Sequence, residues 1–310
     1  MPDRAFDHFL LTRFSAVLAP GAAPAGEDWL RYRLAFFVDA TYPSVQSQTT
    51  DAFEWLVLLD DRCSDEFRED IDVLAEGVFT PIWTHADFRR DTFAAPVAER
   101  ASGAPYLITT RIDSDDAMAV DFMATVQDQF AHQDRLFVSI TRGVQIDRSG
   151  GVYLRDQLSN PFLSLIEKRQ PDRLPDTVYV VQHARARAHG PIREVQAPVM
   201  WAQVVHDLNL LNIVNGPRLR PRVVAERFSF DLGYDAHIAG LALLAEQVRQ
   251  AGRVVKLWAA HPGELVIAAE ALGWRLRGTH ERPQDDGATL TDRAQRLVRA
   301  WRQRWPRSPH

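Results

Sequence analysis

Apolar positions in the first two thirds of the chain alternate between strand-like runs and helix-like spacing. The apolar runs that predict strands are 8–14, 54–59, 78–83, 105–112 and 135–146. Between them, apolar residues recur every three or four positions and predict helices over 28–43, 64–75 and 122–130. Ser64 is the expected N-cap of the second helix. Alternation of this kind is typical of an α/β fold with a mostly parallel central sheet.

The pattern changes after Pro217 and Pro221. Residues 234–250 and 262–272 are rich in alanine and leucine and predict helices, whereas 279–289 has the composition of a linker. From Thr291 an amphipathic helix is expected, with arginines on one face. We therefore predict three parts, which are an α/β domain over 1–220, a helical appendage over 221–278, and a linker with a basic C-terminal helix over 279–310.

Composition narrows the class of protein. The chain is 46% hydrophobic and 25% charged, the balance of a globular protein with a sizeable core. A net charge of −5 does not indicate nucleic-acid binding. Cys63 is the only cysteine, which excludes an internal disulfide and a cysteine-based zinc site. With neither a signal-peptide pattern nor an apolar stretch of about 18–20 residues, a cytoplasmic protein is expected.

The most informative motif is acidic and directly follows a predicted strand. Asp113, Asp115 and Asp116 come after the apolar run 105–112, at the end of a strand where open α/β sheets bind ligands. Carboxylates at this spacing can hold Mg²⁺ or Mn²⁺, whose remaining ligands are waters and substrate phosphates. Such a cation neutralises the negative charge that develops on a nucleoside diphosphate when it is the leaving group of a reaction. The alternative is a solvated turn that caps the next helix.

Two further features support the interpretation of the acidic motif as a cation site. Asp60 and Asp61 end the strand 54–59, and neighbouring strand ends face one crevice, where a carboxylate could contact the base or ribose. Taken alone, the pair also fits a helix-initiating turn. Arg111 precedes the acidic motif, and its planar fork suits phosphate, although it could equally neutralise the aspartates.

Six segments resemble one family, the bacterial rhamnosyltransferases, which are related to glycosyltransferases of the GT-A fold. They are DHFLLTRFS (7–15), EDWLRYRLAFFVDATYPSVQSQT (27–49), FEWLVLLDD (53–61), YLITTRIDSDDAM (106–118), NPFLSLIE (160–167) and WAQVVHDLNLLN (201–212). The resemblance covers roughly residues 5–215. It implies that the predicted domain over 1–220 is a GT-A catalytic domain that binds a nucleotide-sugar with Mn²⁺ or Mg²⁺.

The resemblance also implies roles for single residues. Asp113 and Asp115 resemble the Asp-x-Asp pair, with Asp115 a direct metal ligand and Asp113 nearer the ribose or a metal-bound water. Asp60, with Asp61 nearby, resembles the carboxylate that contacts the base. Thr12 and Arg13 resemble the first-strand loop under the nucleotide. The implied reaction moves a sugar, rhamnose or another hexose, from a dTDP, UDP or GDP donor to a saccharide or lipid-linked hydroxyl.

A late histidine often completes the metal site in GT-A enzymes. His206 in WAQVVHDLN is the first candidate and His183 the second. Either could instead be a hydrogen-bonded structural histidine.

An inverting transfer needs a carboxylate within hydrogen-bond reach of the acceptor hydroxyl. Glu167 is the candidate base by its order along the chain, and Asp147 and Asp207 stay open. The alternative for Glu167 is an exposed helix residue paired with Lys168 or Arg169.

The C-terminal helix indicates another function. Residues 287–310 carry six arginines against Asp292, and Trp301 and Trp305 lie among them, a composition that suits the anionic inner face of a membrane. Alternatively, this helix packs on the acidic body of the protein. Two rival functions follow, a non-catalytic nucleotide- or carbohydrate-binding protein of the same fold and a membrane-associated scaffold.

Overall fold

The computed structural model describes residues 5–147, 149–206, 214, 216–230, 240–260, 262–276, 280–282, 284–285, 291–293 and 295. The strands are β1 (Phe6–Arg13), β2 (Glu54–Asp60), β3 (Thr80–Thr84), β4 (Tyr106–Asp113), β5 (Ala117–Met118), β6 (Arg135–Ile140), β7 (Arg142–Ile146), β8 (Val152–Asp156), β9 (Ser164–Lys168), β10 (Ile192–Val195), β11 (Trp201–Val204), β12 (Arg218–Leu219) and β13 (Glu281–Arg282). The helices are α1 (Glu27–Phe36), α2 (Tyr42–Gln46), α3 (Asp65–Ala75), α4 (Ala94–Arg100), α5 (Phe122–Gln127), α6 (Arg222–Ala225), α7 (Gly240–Ala260) and α8 (Pro262–Leu276).

Within the described residues, eight strands form the main sheet in the order β13-β10-β6-β9-β4-β1-β2-β3. Six of them run in one direction, and β9 and β13 oppose them. A second sheet has the order β12-β8-β7-β11-β5. The predicted α/β fold with a mostly parallel central sheet is confirmed.

The parallel strands are apolar on both faces. Along β1, Leu10 packs into one buried cluster, whereas Phe9 and Leu11 pack into another on the opposite face. Successive side chains of a strand point to opposite faces, so a continuous apolar run buries both. The sheet therefore lies inside the molecule, and polar side chains reach water only at its edges and strand ends.

The helix predicted over 28–43 is longer and less regular than the pattern indicated. After α1, residues Phe37–Thr41 form a π-helical turn, and α2 then continues to Gln46. Pro43 lies in the first turn of α2, where a missing backbone N–H is tolerated. The helix over 64–75 is confirmed as α3, and the Ser64 hydroxyl accepts the Phe67 N–H at 3.1 Å as its N-cap.

The run 135–146 was predicted as one strand, which is wrong. It breaks at Thr141 into β6 in the main sheet and β7 in the second sheet. Trp201 explains the break, because its indole N–H donates to the carbonyl of Ile140 at 2.9 Å. A hairpin turn joins β7 and β8, with Gly150 at φ 75°.

The described part of the C-terminal third contains the helices α6, α7 and α8 and the short strands β12 and β13. The predicted linker over 279–289 is wrong at Glu281–Arg282, which form β13 at the edge of the main sheet. Residues 296–310, with Trp301 and Trp305, lie outside the described residues. Among the described helices, none combines the length and the apolar character that crossing a membrane requires.

Candidate active site

The parallel register brings an arginine and an aspartate to one edge of the sheet. β1 and β4 are adjacent, and Arg13 at the end of β1 lies opposite Asp113 at the end of β4. The Arg13 guanidinium donates to Asp113 Oδ1 at 3.2 Å, and Arg111 reaches the same oxygen at 3.4 Å. Although burial opposes it, Arg111 and Arg13 hold the pKa of Asp113 well below its usual range.

Aromatic rings hold these two arginines in place. The guanidinium of Arg13 lies 5.1 Å from the ring centres of both Phe88 and Tyr179, and that of Arg111 lies 4.9 Å from Tyr179. Although burial alone would lower the pKa of Arg13, Tyr179 and Asp113 raise it above its usual value. The Arg13 guanidinium therefore stays charged beside the acidic turn.

Asp115 lies in a separate set of contacts two residues further on. Its Oδ2 accepts from Arg33 Nη1 at 2.5 Å and lies 2.8 Å from His206 Nε2. The His206 side chain is 1% exposed and stacks on Phe36, with ring centres 4.5 Å apart. Arg33 Nη2 also donates to the Ser114 hydroxyl at 2.8 Å. Side chains from α1, the turn after β4 and the segment after β11 thus converge on one carboxylate.

Asp116 explains how the chain brings these segments together. β11 pairs with β5, and Asp116 Oδ1 accepts the Val204 N–H at 3.1 Å. On the other side, the Thr41 hydroxyl donates to the Asp116 carbonyl at 2.7 Å. Burial and the charges of Asp115 and Asp113 raise the pKa of Asp116 well above its usual value, which favours its neutral form. Asp116 is therefore a structural connection between segments.

The corner formed by Arg13, Arg33, Arg111, Asp113 and Asp115 carries an excess of positive charge. Three guanidiniums face the carboxylates of Asp113 and Asp115, while Asp116 favours its neutral form. The Nε atoms of all three arginines are buried and have no hydrogen-bond partner among the described residues. Buried hydrogen-bond donors are normally paired, and leaving a buried charged donor without an acceptor costs free energy. The corner thus has the charge and the spare donors to bind an anion.

The second acidic pair is held by local partners. Asp60 accepts two hydrogen bonds from the Arg62 side chain, at 2.9 and 2.6 Å, and this ion pair lowers the pKa of Asp60. Asp61 lies 2.8 Å from His85 Nδ1. β2 neighbours β1, so the pair follows the same ends of the sheet as Asp113. The structure shows no direct contact of Asp60 with the Asp113 corner.

The Thr12 side chain does not face this corner, and its place under the nucleotide stays a prediction. Its side chain is fully buried, and its hydroxyl accepts the Trp55 indole N–H at 2.9 Å. Thr12 and Arg13 are successive residues of a strand, so their side chains point to opposite faces of the sheet. Of the two, only Arg13 contacts Asp113.

Glu167 also lies elsewhere, which overturns its placement as the catalytic base. It is a buried strand residue, because β9 runs antiparallel to β4 and pairs Glu167 with Leu107. Leu107 is six residues before Asp113, about 20 Å away along the strand. The Glu167 carboxylate accepts the backbone N–H groups of Asp176 and Thr177. These contacts give it a structural role at the opposite end of the sheet.

The other candidate residues were His183, Asp147 and Asp207, and the first two make local hydrogen bonds. His183 Nδ1 lies 2.6 Å from the Ser159 carbonyl, and burial, then Arg111, lowers the pKa of this histidine, so the neutral ring is favoured. Asp147 accepts from Ser149 and Gly151 in the β7–β8 turn. Asp207 lies outside the described residues.

The donor atoms beside Asp115 decide whether a divalent cation fits this corner. Among the described residues, no group of three or more His, Cys, Asp or Glu side chains is arranged as a metal centre. Asp115 and His206 nevertheless present one carboxylate oxygen and one imidazole nitrogen 2.8 Å apart. Mg²⁺ and Mn²⁺ sites commonly use one or two such protein ligands and complete the shell with phosphate oxygens and waters. The pair fits a cation shared with a diphosphate.

Sequence reasoning missed Arg33, Ser114 and Tyr179. Arg33 lies 82 residues before Asp115, on a helix that shows no local sign of a site. The sequence feature that could have indicated Arg33 is its position within EDWLRYRLAFF, the first part of a segment that resembles the family. Tyr179 lies in a 3₁₀ turn whose apolar sequence indicated only core packing.

Several solved structures are similar to this chain at low sequence identity. No curated protein matches the chain. Similar solved structures include S. aureus TarS 1-349 in complex with UDP-GlcNAc, with a TM-score of 0.39, 11% identity, and coverage of 66% of this chain and 60% of that chain. HddC from Yersinia pseudotuberculosis has a TM-score of 0.29, 11% identity, and coverage of 55% and 81%. The chain thus spans 60% of the TarS fragment.

A family match covers a similar share of the chain. The family described as "Putative rhamnosyl transferase" matches residues 10–215, which is more than half of the 310-residue chain. The matched range includes Arg13, Arg33, Asp113, Asp115 and His206. The protein therefore belongs to this rhamnosyl transferase family.

Proposed function

We propose that the protein is a metal-dependent glycosyltransferase. It moves a sugar, rhamnose or another hexose, from a nucleoside-diphosphate donor of the dTDP, UDP or GDP type to a saccharide or lipid-linked hydroxyl. Family membership supports sugar transfer. The observation that carries the proposal is the corner where Asp115 and His206 lie beside the guanidiniums of Arg13, Arg33 and Arg111.

Each part of the corner has a chemical task in this reaction. Charge develops on the diphosphate as the sugar–phosphate bond breaks, and preorganised cations stabilise it. Arg13 and Arg111, fixed by Tyr179 and Asp113, can each bind phosphate oxygens through a planar fork. Asp115 and His206 would hold Mn²⁺ or Mg²⁺, which neutralises further charge on the leaving group.

The test is Asp115→Asn with a panel of UDP-, GDP- and dTDP-sugars. The substitution keeps the size of the side chain and removes the charged ligand, so Mn²⁺-dependent donor hydrolysis should fall about a hundredfold or more. Release of nucleoside diphosphate is the measurement. Asp72→Asn, an exposed residue of α3, is the matched control and should keep the wild-type rate.

Two outcomes would contradict the proposal. Full turnover by Asp115→Asn with Mn²⁺ would remove the aspartate from the metal site. Binding of a nucleotide-sugar by the wild-type protein without hydrolysis or transfer would instead support the non-catalytic alternative. The predicted membrane contact through 287–310 stays a prediction, since most of that segment lies outside the described residues.

A further inference from the structure

Arg33 occupies the side of Asp115 on which a cation is proposed to bind. Its Nη1 donates to Asp115 Oδ2 at 2.5 Å and lies 3.4 Å from His206 Nε2, while Nη2 bonds Ser114. The guanidinium centre also lies 5.5 Å from the ring centre of Trp29. The Arg33 side chain is 13% exposed. One positive group therefore contacts both candidate metal ligands.

A guanidinium and a divalent cation cannot share this position. Cations of the Mg²⁺ type sit about 2.1 Å from their ligands, and Asp115 Oδ2 and His206 Nε2 are 2.8 Å apart. A cation held by both atoms on the side that Arg33 occupies would lie against Arg33 Nη1. Charges of the same sign at such a distance repel strongly in a site with little water. Cation binding on this side of Asp115 therefore requires Arg33 to leave.

A diphosphate supplies the reason for Arg33 to leave. The Nε of Arg33 is buried and unpaired among the described residues, as are those of Arg13 and Arg111. A diphosphate offers more acceptor oxygens and more charge than the single Asp115 oxygen, and bidentate guanidinium–phosphate contacts are strong. Since Arg33 extends from α1, its long side chain can turn between two acceptors without movement of the helix.

We propose that Arg33 is a resident counter-ion that blocks the Asp115–His206 cation site until the donor diphosphate draws it away. The inference rests on the proposed function and adds to it that the cation and the diphosphate bind together. A free divalent cation alone binds weakly, and a diphosphate alone binds through the three arginines. This makes Arg33 a positioning residue that links donor recognition to assembly of the metal site.

The experiment measures two separate affinities for each variant, for Mn²⁺ alone by electron paramagnetic resonance and for inorganic pyrophosphate alone by calorimetry. Arg33→Gln removes the blocking charge and one phosphate donor. We expect about tenfold tighter Mn²⁺ binding and about tenfold weaker pyrophosphate binding, the size of one charged hydrogen bond. Opposite changes are the signature, because a merely structural role would weaken both affinities.

Three further variants complete the design. Arg33→Lys keeps the charge and should leave Mn²⁺ binding close to wild type. Asp115→Asn combined with Arg33→Gln should lose the gained Mn²⁺ affinity, which locates the gain at this carboxylate. Arg31→Gln removes a more exposed arginine of α1 that pairs with Glu27 and Asp70, and it should change neither affinity.

Unchanged or weaker Mn²⁺ binding by Arg33→Gln overturns the inference, and so does equal tightening by Arg33→Lys. Donor turnover of the wild-type protein is measured separately. An active wild-type enzyme whose Arg33→Gln variant shows no gain for Mn²⁺ would refute the blocking role and leave glycosyl transfer standing. An inactive wild-type protein would instead count against the proposed function.

Discussion

Asp113 and Asp115 lie two residues apart, yet different partners compensate their charges. Asp113 ends β4 and contacts Arg13 and Arg111, whereas Asp115 lies in the following turn and contacts Arg33 and His206. In a continuous strand, residues at this spacing would point to one face. The turn after β4 separates them. At the residue scale, one short acidic motif therefore supplies both an arginine-holding carboxylate and a candidate metal ligand.

Glu167→Gln tests where catalysis occurs. Since Glu167 lies at the opposite end of the sheet from Asp113, kcat should stay near wild type. Removing a general base would instead cost roughly 10²–10⁴-fold. A loss of that size in steady-state donor hydrolysis would return Glu167 to the active site.

The same variant carries a pH dependence in stability. Burial raises the pKa of Glu167, so its protonated form favours folding at low pH and this contribution is lost as pH rises through the folded-state pKa. Stability of the wild type relative to Glu167→Gln should therefore fall as pH rises above the ordinary pKa of a glutamate. Urea unfolding at several pH values measures this, and the opposite trend would contradict the buried placement.

At the scale of elements, packing between the two sheets decides where strands end. Apolar periodicity alone predicted β6 and β7 as one strand, since most residues of both are buried. Trp201 on β11 separates them, with its ring packed against the backbone of Gly143. A side chain 58 residues away thus breaks a run that local sequence presents as continuous.

Gly143→Ala tests this contact. A Cβ at Gly143 would lie 2.0 Å from the Trp201 ring, so the substitution should destabilise the fold by about 2–3 kcal/mol or more. Gly252→Ala in α7 is the matched control, because a Cβ there meets nothing within 4 Å. It should be neutral or stabilise by up to about 1 kcal/mol. Equal effects in chemical unfolding would contradict the proposed crowding.

Across the whole molecule, a buried ion pair connects the C-terminal part to the main sheet. Arg282 on β13 donates to Glu194 on β10, and both side chains are almost fully buried. Arg275 of α8 bonds the same Glu194 and also Asp156 at the end of β8. α8 therefore contacts strands of both sheets, so the described part of the appendage is not independent of the Rossmann-like part.

Arg282→Met should cost about 3 kcal/mol, because it leaves Glu194 buried with one fewer cation. Adding Glu194→Met removes the stranded charge, so the double variant should lose less than Arg282→Met alone. Urea unfolding of the wild type, both single variants and the double variant measures the coupling. Additive losses would show that the pair contributes no coupling energy.

Charged residues at strand ends were the part of the candidate site that could be named from the sequence. Arg111 and Asp113 end a predicted strand, Arg13 comes from the family resemblance, and the structure places the three in contact. The sequence did not show that the Thr12 side chain faces away from them or that Glu167 lies at the opposite end of the sheet, because the face of a strand and the direction of β9 are set by pairing. Chain order alone could not show that β9 runs antiparallel and carries Glu167 away from the corner.

The sequence by itself determined the α/β class, the buried parallel strands and the acidic turn after β4, because apolar periodicity and strand-end polarity are local properties. Only the tertiary structure decided that His206 and Arg33 meet at Asp115. Their approach depends on β11 pairing with β5 and on the position of α1, through contacts that join residues 82 and 91 positions apart. Such long-range pairing leaves no periodic trace in the chain.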